Sequence, residues 1–307
     1  MNLLKQLTQA SRMHFVPIMV ICVVLGTLAA YLWNDEFHPW RFLLTLVGAS
    51  AAHMFSTMYN DIWDYRSGAD LAALASEEAL STDSGYLTRS VWKHSIFVTV
   101  TWSMLGIAAG CGLILYFLSG PGVLLLGLIG GLLASCYVAP PIRYGYWGRG
   151  TSEFAHVLSF GPLPVMGSYY VQTSHFDTRL LLLSLPVGLL TTLTFFNHHF
   201  LHWKTDKEVG KHTLVVMWGE KKSFRLSPLL LIMAYLSLAI CIFCKVLPVY
   251  AIVALFSAWP LGRMYGAMRV SRSLQSYQSL MGLSLEATLR CGMIMIAALF
   301  IQSMAGH

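Results

Sequence analysis

Long apolar stretches recur along the chain, and they constrain its fold more than any other feature. A helix of about 20 apolar residues spans roughly 30 Å of hydrocarbon. Candidate spans fall at residues 13–33, 41–60, 91–118, 121–139, 152–172, 180–200, 226–246, 248–267 and 285–305. The division between the seventh and eighth rests on Lys245 and Pro248. Hydrophobic residues make up 56% of the chain and charged ones 11%, against about 25% charged in a soluble domain. A soluble fold of 307 residues could not hide so much apolar surface, whereas lipid accepts it. The expectation is an all-α integral membrane protein of about nine transmembrane helices, forming a single polytopic domain over residues 1–307. The first stretch is long and no small-residue cleavage pattern precedes Trp33-Asn34-Asp35-Glu36, so it is expected to be a retained span, not a signal peptide.

A net charge of +6 would suggest a nucleic-acid partner in a soluble protein. Its distribution here points to topology, and no nucleic acid is expected. With the N-terminus in the cytoplasm, sixteen of the twenty Lys and Arg residues fall on inner segments. Only Arg41, Arg179 and Lys245 fall outside, and Arg290 lies within the ninth span. This is a strong positive-inside pattern. It predicts a multi-pass protein of the cytoplasmic (inner) membrane, with lipid as its surroundings and the N-terminus inside. The long polar connections 61–90 and 201–225 then lie on the cytoplasmic side, as does the segment Ala139–Gly150, while Ser119-Gly120-Pro121-Gly122 is a tight outer turn. Chemistry is therefore expected at the inner face. All six cysteines fall in expected spans, and Cys241 and Cys244, though spaced as a CxxC, read as packing residues.

Three constellations stand at that face. In the first, Asn60, Asp61 and Asp64 sit at i, i+1 and i+4 if the second helix continues through them, so both aspartates share a face, and Asp70 follows. Two acids within one turn at a membrane boundary repel each other unless a cation lies between them. Mg²⁺ suits such oxygens, completing its shell with water and phosphate; the plainer reading is a solvated helix end. In the second, His198, His202 and Asp206 recur at i, i+4 and i+8, with His199 beside them. That stripe reads either as interfacial histidines bonded to headgroups or as a metal site. The third is Tyr137, Arg143 and Lys211, a set suited to phosphate, though inner Lys and Arg also serve as topology markers. Acids, ligand-type side chains and cations at one depth fit a magnesium-bound diphosphate whose attached group lies in the membrane.

At these residues the sequence resembles a known family. Asn60-Asp61-x-x-Asp64 with Gly68 and Asp70 is similar to the first aspartate-rich motif of the UbiA-type intramembrane prenyltransferases. The Gly-x-Asp placement is most like the menaquinone branch, which prenylates 1,4-dihydroxy-2-naphthoate. Tyr137-Val138-Ala139-Pro140-Pro141-Ile142-Arg143-Tyr144 resembles the family's tyrosine, double-proline and arginine segment, and Gly161–Thr173 again looks like the menaquinone branch. Asp206 with Gly210-Lys211-His212-Thr213-Leu214 resembles the end of the second aspartate motif. The resemblance implies a nine-helix bundle that transfers a polyprenyl group from a polyprenyl diphosphate to an aromatic acceptor. It implies that Asn60, Asp61 and Asp64 hold one Mg²⁺, and Asp206 with His202 a second, with Asp70 and His198 as further candidate ligands. Arg143, Lys211, Tyr137, Asn60 and His202 would bind the diphosphate, with Asp61, Asp64, Arg143 and Lys211 serving the reaction.

One departure stands out. Where the family's second motif carries its first aspartate, this chain has His202, and His198, His199 and Leu201 replace the preceding asparagine pair and arginine. Imidazole in place of carboxylate weakens a hard Mg²⁺ site and favours Mn²⁺ or Zn²⁺. Alternatively the second metal is lost and an imidazolium touches the diphosphate, or the chain kept the fold and lost the reaction. The rival readings are the same fold acting on a benzoate, tetrapyrrole or lipid, a catalytically silent membrane subunit, and a metal carrier. Apart from His53 and His156 the spans hold few polar residues, which argues against transport.

Overall fold

The structure, a computed structural model, describes residues 3–80 and 83–305. Among them it is helical throughout, without strands. In chain order the α-helices are α1 (Leu3–Ala10), α2 (Val16–Asn34), α3 (Pro39–Ser67), α4 (Ala69–Ala75), α5 (His94–Ser119), α6 (Gly122–Cys136) and α7 (Thr151–Phe160). They continue as α8 (Pro162–Thr173), α9 (Arg179–His199), α10 (Trp203–Glu208), α11 (Leu214–Trp218), α12 (Glu220–Phe243), α13 (Trp259–Ala267) and α14 (Leu274–Ala305). Six of the described helices are long and apolar enough to cross a membrane: α2 with the turn before it, α3, α5, α9, α12 and α14. The expected count of nine is thus not met by single helices. Of the other three stretches, residues 121–139 form the shorter apolar helix α6. Residues 152–172 divide into α7 and α8 at Gly161-Pro162, and 248–267 run as a 3-10 helix, Val249–Ala258, into α13. The expected break at Lys245 and Pro248 is present, since α12 ends at Phe243.

Helix α9 is the hub. In its most apolar window 78% is buried within the protein, against 11% for α5, which turns most of its surface outward. Because lipid is as apolar as leucine, helices in a bilayer associate through close packing and interhelical hydrogen bonds. Both occur here. At Gly161 the chain passes so near α9 that an added Cβ would lie 3.2 Å from the Gly188 Cα and 3.1 Å from the Ser184 carbonyl oxygen. A polar knot ties α9 to α12, α13 and α14: the Asn197 Nδ2 donates to Ser284 Oγ (2.9 Å), and the Ser227 hydroxyl donates to Asn197 Oδ1 (2.5 Å) and meets the Tyr265 hydroxyl. Most other buried hydroxyls of α9 return to their own helix, as Thr191 and Thr192 do to carbonyls four residues back, so few polar groups there go unmatched.

Candidate functional site

Helix α3 runs unbroken to Ser67 and caps on Gly68, whose φ of 83° suits glycine. Asn60 and Asp64 face the cavity described below together, whereas Asp61, expected on the same face as Asp64, is turned away from it; both aspartates are buried. Each carboxylate meets a cation from a distant element. Arg12, at the turn before α2, forms an ion pair with Asp61. The Ser84 N–H donates to the other Asp61 oxygen at 3.1 Å. The Lys211 ammonium donates to Asp64 Oδ2 at 3.1 Å, and the Tyr146 hydroxyl to Asp64 Oδ1 at 3.3 Å.

The histidine stripe does not form as one helix. α9 stops at His199, the chain turns through Phe200–His202, and His202 becomes the N-terminal flank of α10 with φ of −142°. The Leu80 N–H donates to the Leu201 carbonyl there, closing the connection that follows α4 against the turn. The side chains converge nevertheless. His202 Nδ1 lies 2.8 Å from Asp206 Oδ2, and its Nε2 lies 3.3 Å from His198 Nδ1. Beyond α10, Gly210 takes a φ of 74°, and the Lys211 N–H donates back to the Asp206 carbonyl at 2.8 Å. That turn delivers the ammonium to Asp64. Lys211 is the physical link between the first and second constellations.

Arg143 is placed differently. Its backbone takes the left-handed conformation (φ 48°), the Tyr146 N–H donates to its carbonyl, and its guanidinium lies 5.3 Å from the Tyr146 ring centroid. It therefore supports the tyrosine that bonds Asp64, and it is not among the residues lining the cavity described below. Asp61 is likewise set behind the wall.

A cavity of about 1300 Å³ opens beside these groups. Its polar end is lined by Arg12, Asn60, Asp64, Asp70, Tyr137, Lys211 and the His198–His202–Asp206 set. Between α3, α5, α6 and α8 it continues along leucine, alanine and glycine residues as far as Thr45, Leu115 and Val123. Two of the boundary acids carry opposite electrostatic signatures. Burial, reinforced by the charges of Asp64 and Asp61, pushes the Asp70 carboxyl up to about 9. Burial also pushes Asp206 up, but His202 and Lys211 beside it outweigh that and bring it down to about 2. For Lys211, burial acts downward, and the Asp64 and Asp206 charges more than reverse it, holding the ammonium well above the ordinary lysine range.

Asn60, Asp64 and Asp70 present hard oxygen donors to the cavity. The Asp70 carboxyl is pushed up first by burial and then by the charges of Asp64 and Asp61, a repulsion that a divalent cation relieves. The donor set of this half fits Mg²⁺. The other half does not fit equally well: it offers one carboxylate, already bonded to an imidazole, and further imidazoles. Among the described residues no three such groups already converge as a preformed metal cluster. Sequence reasoning missed Arg12, Ser84 and Tyr146. Arg12 reads as a topology marker, Ser84 lies in an unpatterned connection, and Tyr146 is one of several aromatics after the double proline. Cys241, of the CxxC, donates to the Leu182 carbonyl, as packing implies, while Cys244 is exposed beyond the end of α12.

The UbiA prenyltransferase family model matches residues 19–285. The 1,4-dihydroxy-2-naphthoate octaprenyltransferase of Escherichia coli K12 is 29% identical over 236 residues, covering 76% of this chain and 74% of that protein. The 2-carboxy-1,4-naphthoquinone phytyltransferase of Synechocystis is 28% identical, covering 75% and 71%. Among solved structures, a homologue from Archaeoglobus fulgidus bound to GPP and Mg²⁺ superposes with a TM-score of 0.63 at 14% identity, covering 95% of this chain and 99% of that one. That likeness extends the shared fold over nearly the full length.

Proposed function

The chain belongs to the UbiA prenyltransferase family, and we propose that it transfers a polyprenyl group from a polyprenyl diphosphate to 1,4-dihydroxy-2-naphthoate, with Mg²⁺, at the cytoplasmic face of the inner membrane. One observation carries the reading: a single cavity joins the Asn60, Asp64, Asp70 and Lys211 end to a long apolar wall between α3, α5, α6 and α8. A charged head and a hydrocarbon tail need such a container. The tail leaves lipid for an equally apolar wall, so the cavity holds it by shape and close packing. The naphthoate acceptor is supported by the names of the two relatives.

Asn60, Asp64 and Asp70 would hold Mg²⁺ in the first half-site, with Asp61 behind them. When bound, the metal neutralises the diphosphate oxygens and so favours departure of the group. Lys211 and Tyr137 face the same void and bind the diphosphate. Arg143 positions Tyr146, which orients Asp64, and Arg12 pairs with Asp61. The ester C–O bond breaks with its electron pair leaving on diphosphate. The allylic cation is captured by the electron-rich ring carbon that bears the carboxylate, and aromaticity returns as the C–COO⁻ bond breaks and its electron pair re-enters the ring, releasing CO₂. Rings around the void keep water from the cation. Asp206 and His202 form the second half-site, where imidazole favours Mn²⁺ or Zn²⁺ over Mg²⁺.

The test is a membrane assay with labelled polyprenyl diphosphate and dihydroxynaphthoate, with and without Mg²⁺. Product is expected with the metal, and about a thousandfold less from Asp64→Asn. Unchanged activity in that variant removes the metal assignment. Product only with another aromatic acceptor corrects the substrate, and product with none leaves a silent membrane subunit.

A further inference from the structure

Two imidazoles inside the bundle have no role in the diphosphate site. His53 on α3 is 3% exposed, and neither of its ring nitrogens has a hydrogen-bond partner. His156 on α7 has a buried, unpartnered Nδ1. Both line the cavity. Buried polar atoms are nearly always paired, and within a bilayer water does not compensate for those that are not. Two unpaired imidazoles beside one void therefore indicate that its occupant supplies the missing partners.

The surrounding rings narrow the chemistry. His156 and Phe160 lie one turn apart on α7. The close passage of Gly161 against Gly188 brings that turn onto α9, so the His156 ring stacks on Phe195 at 4.8 Å, with Phe160 at 5.2 Å from Phe195. The His53 ring meets Phe160 edge-on at 5.6 Å. Phe160 and Phe195 also line the void. Flat walls with hydrogen-bonding nitrogens suit a planar ring bearing oxygens. A prenyl tail has no polar atom to offer, and the leucine, alanine and glycine residues of α5 and α6 along the same cavity already serve it. The recess also adjoins the diphosphate end. Tyr137, which lines both, has its ring 5.6 Å from His156, and Asn60 follows His53 by two helical turns, about 10 Å.

We propose that His156 and His53, set against Phe160 and Phe195, form the acceptor-binding recess, hydrogen-bonding the ring oxygens of a hydroxyaromatic acid. This rests on the prenyltransferase reading and names the part of the cavity that its second substrate occupies. The recess fixes the acceptor ring between these histidines and the reactive end of the prenyl diphosphate.

The experiment measures binding on the full-length protein in nanodiscs, by calorimetry, with 1,4-dihydroxy-2-naphthoate kept reduced under argon. His156→Phe keeps the stack on Phe195 and removes the nitrogens; His156→Gln restores a donor and acceptor. The expected result is a Kd at least tenfold higher for His156→Phe and within threefold of wild type for His156→Gln. The Kd for polyprenyl diphosphate should stay within twofold in both. 2-Naphthoate, which lacks the hydroxyls, should bind wild type and His156→Phe alike. His53→Leu should weaken the acceptor in the same sense without lowering the melting temperature of the unliganded protein, because it removes an unpaired polar group. Wild-type-like acceptor binding by His156→Phe overturns the proposal, as does equal loss of both substrates or no binding by wild type. If wild type binds the acid but transfers no prenyl group to it, the functional reading fails while the recess stands.

Discussion

The two acidic centres at the polar end of the cavity are built in opposite ways. At the end of α3, each aspartate is countered by a cation from far along the chain, Arg12 for Asp61 and Lys211 for Asp64. At the α9–α10 turn, Asp206 is bonded to His202 only four residues away. The first centre exists only when several helices have assembled, whereas the second is largely made by its own turn. Lys211 binds the two together, because the Asp206 carbonyl fixes its backbone while its ammonium goes to Asp64. Substitutions in the first centre should therefore strike fold and activity together, and those in the second should act mainly by tuning.

The sharpest break of that contrast is a matched pair of charge deletions. Asp64→Asn should lower prenyl transfer about a thousandfold, the scale of losing a principal electrostatic group. Asp206→Asn should lower it about tenfold, since one of its half-site's ligands is already an imidazole. Equal losses, read by labelled product formation, would show that both centres carry the chemistry equally.

Stability separates them next. Lys211→Met leaves Asp64 buried without its cation, a change that costs about 3 kcal/mol. Adding Asp64→Asn to it should recover most of that loss in a detergent melting series. His202→Asn removes a partner that the local turn partly replaces and should cost about 1 kcal/mol.

Acid titration isolates the second centre. The carboxyl of Asp206 is brought from 3.8 to about 2 in the folded protein. Its contribution, roughly 2 kcal/mol, is thus complete above pH 3.8 and is lost as the pH falls through about 2. Wild type should lose thermal stability over that window more steeply than Asp206→Asn. Identical acid profiles would remove the His202 and Lys211 account of the shift. The smallest effect is expected from His202→Asp, which restores a hard ligand: Mg²⁺-dependent turnover should stay level or rise about threefold. Complete loss of turnover would assign the imidazole a role of its own.

Much of the scaffold was legible in local chemistry. The apolar runs locate α2, α3, α5, α9, α12 and α14, and Lys245 with Pro248 marks the break after α12, because hydropathy and proline act over a few residues. The i, i+4 spacing of Asn60 and Asp64 places both on the cavity wall because α3 continues through them. The apolar run over 152–172 hides a break that Gly161-Pro162 makes locally, since a proline starts a helix and restricts the residue before it; only the packing of Gly161 on Gly188 of α9 lay outside local chemistry. The histidine stripe misled for a related reason: His198, His202 and Asp206 keep helical spacing, yet the helix ends between them and the turn restores the convergence by another path.

The sequence by itself determined that this chain enters lipid as helices and which residue types collect at one end, since transfer free energy and backbone hydrogen bonding are properties of each segment. Only the tertiary structure decided who meets whom. Arg12 reaches Asp61 across 49 positions and Lys211 reaches Asp64 across 147, and His53 and His156 come to share one void. Partner choice at such distances depends on how helices pack, and packing is set by all of the contacts at once.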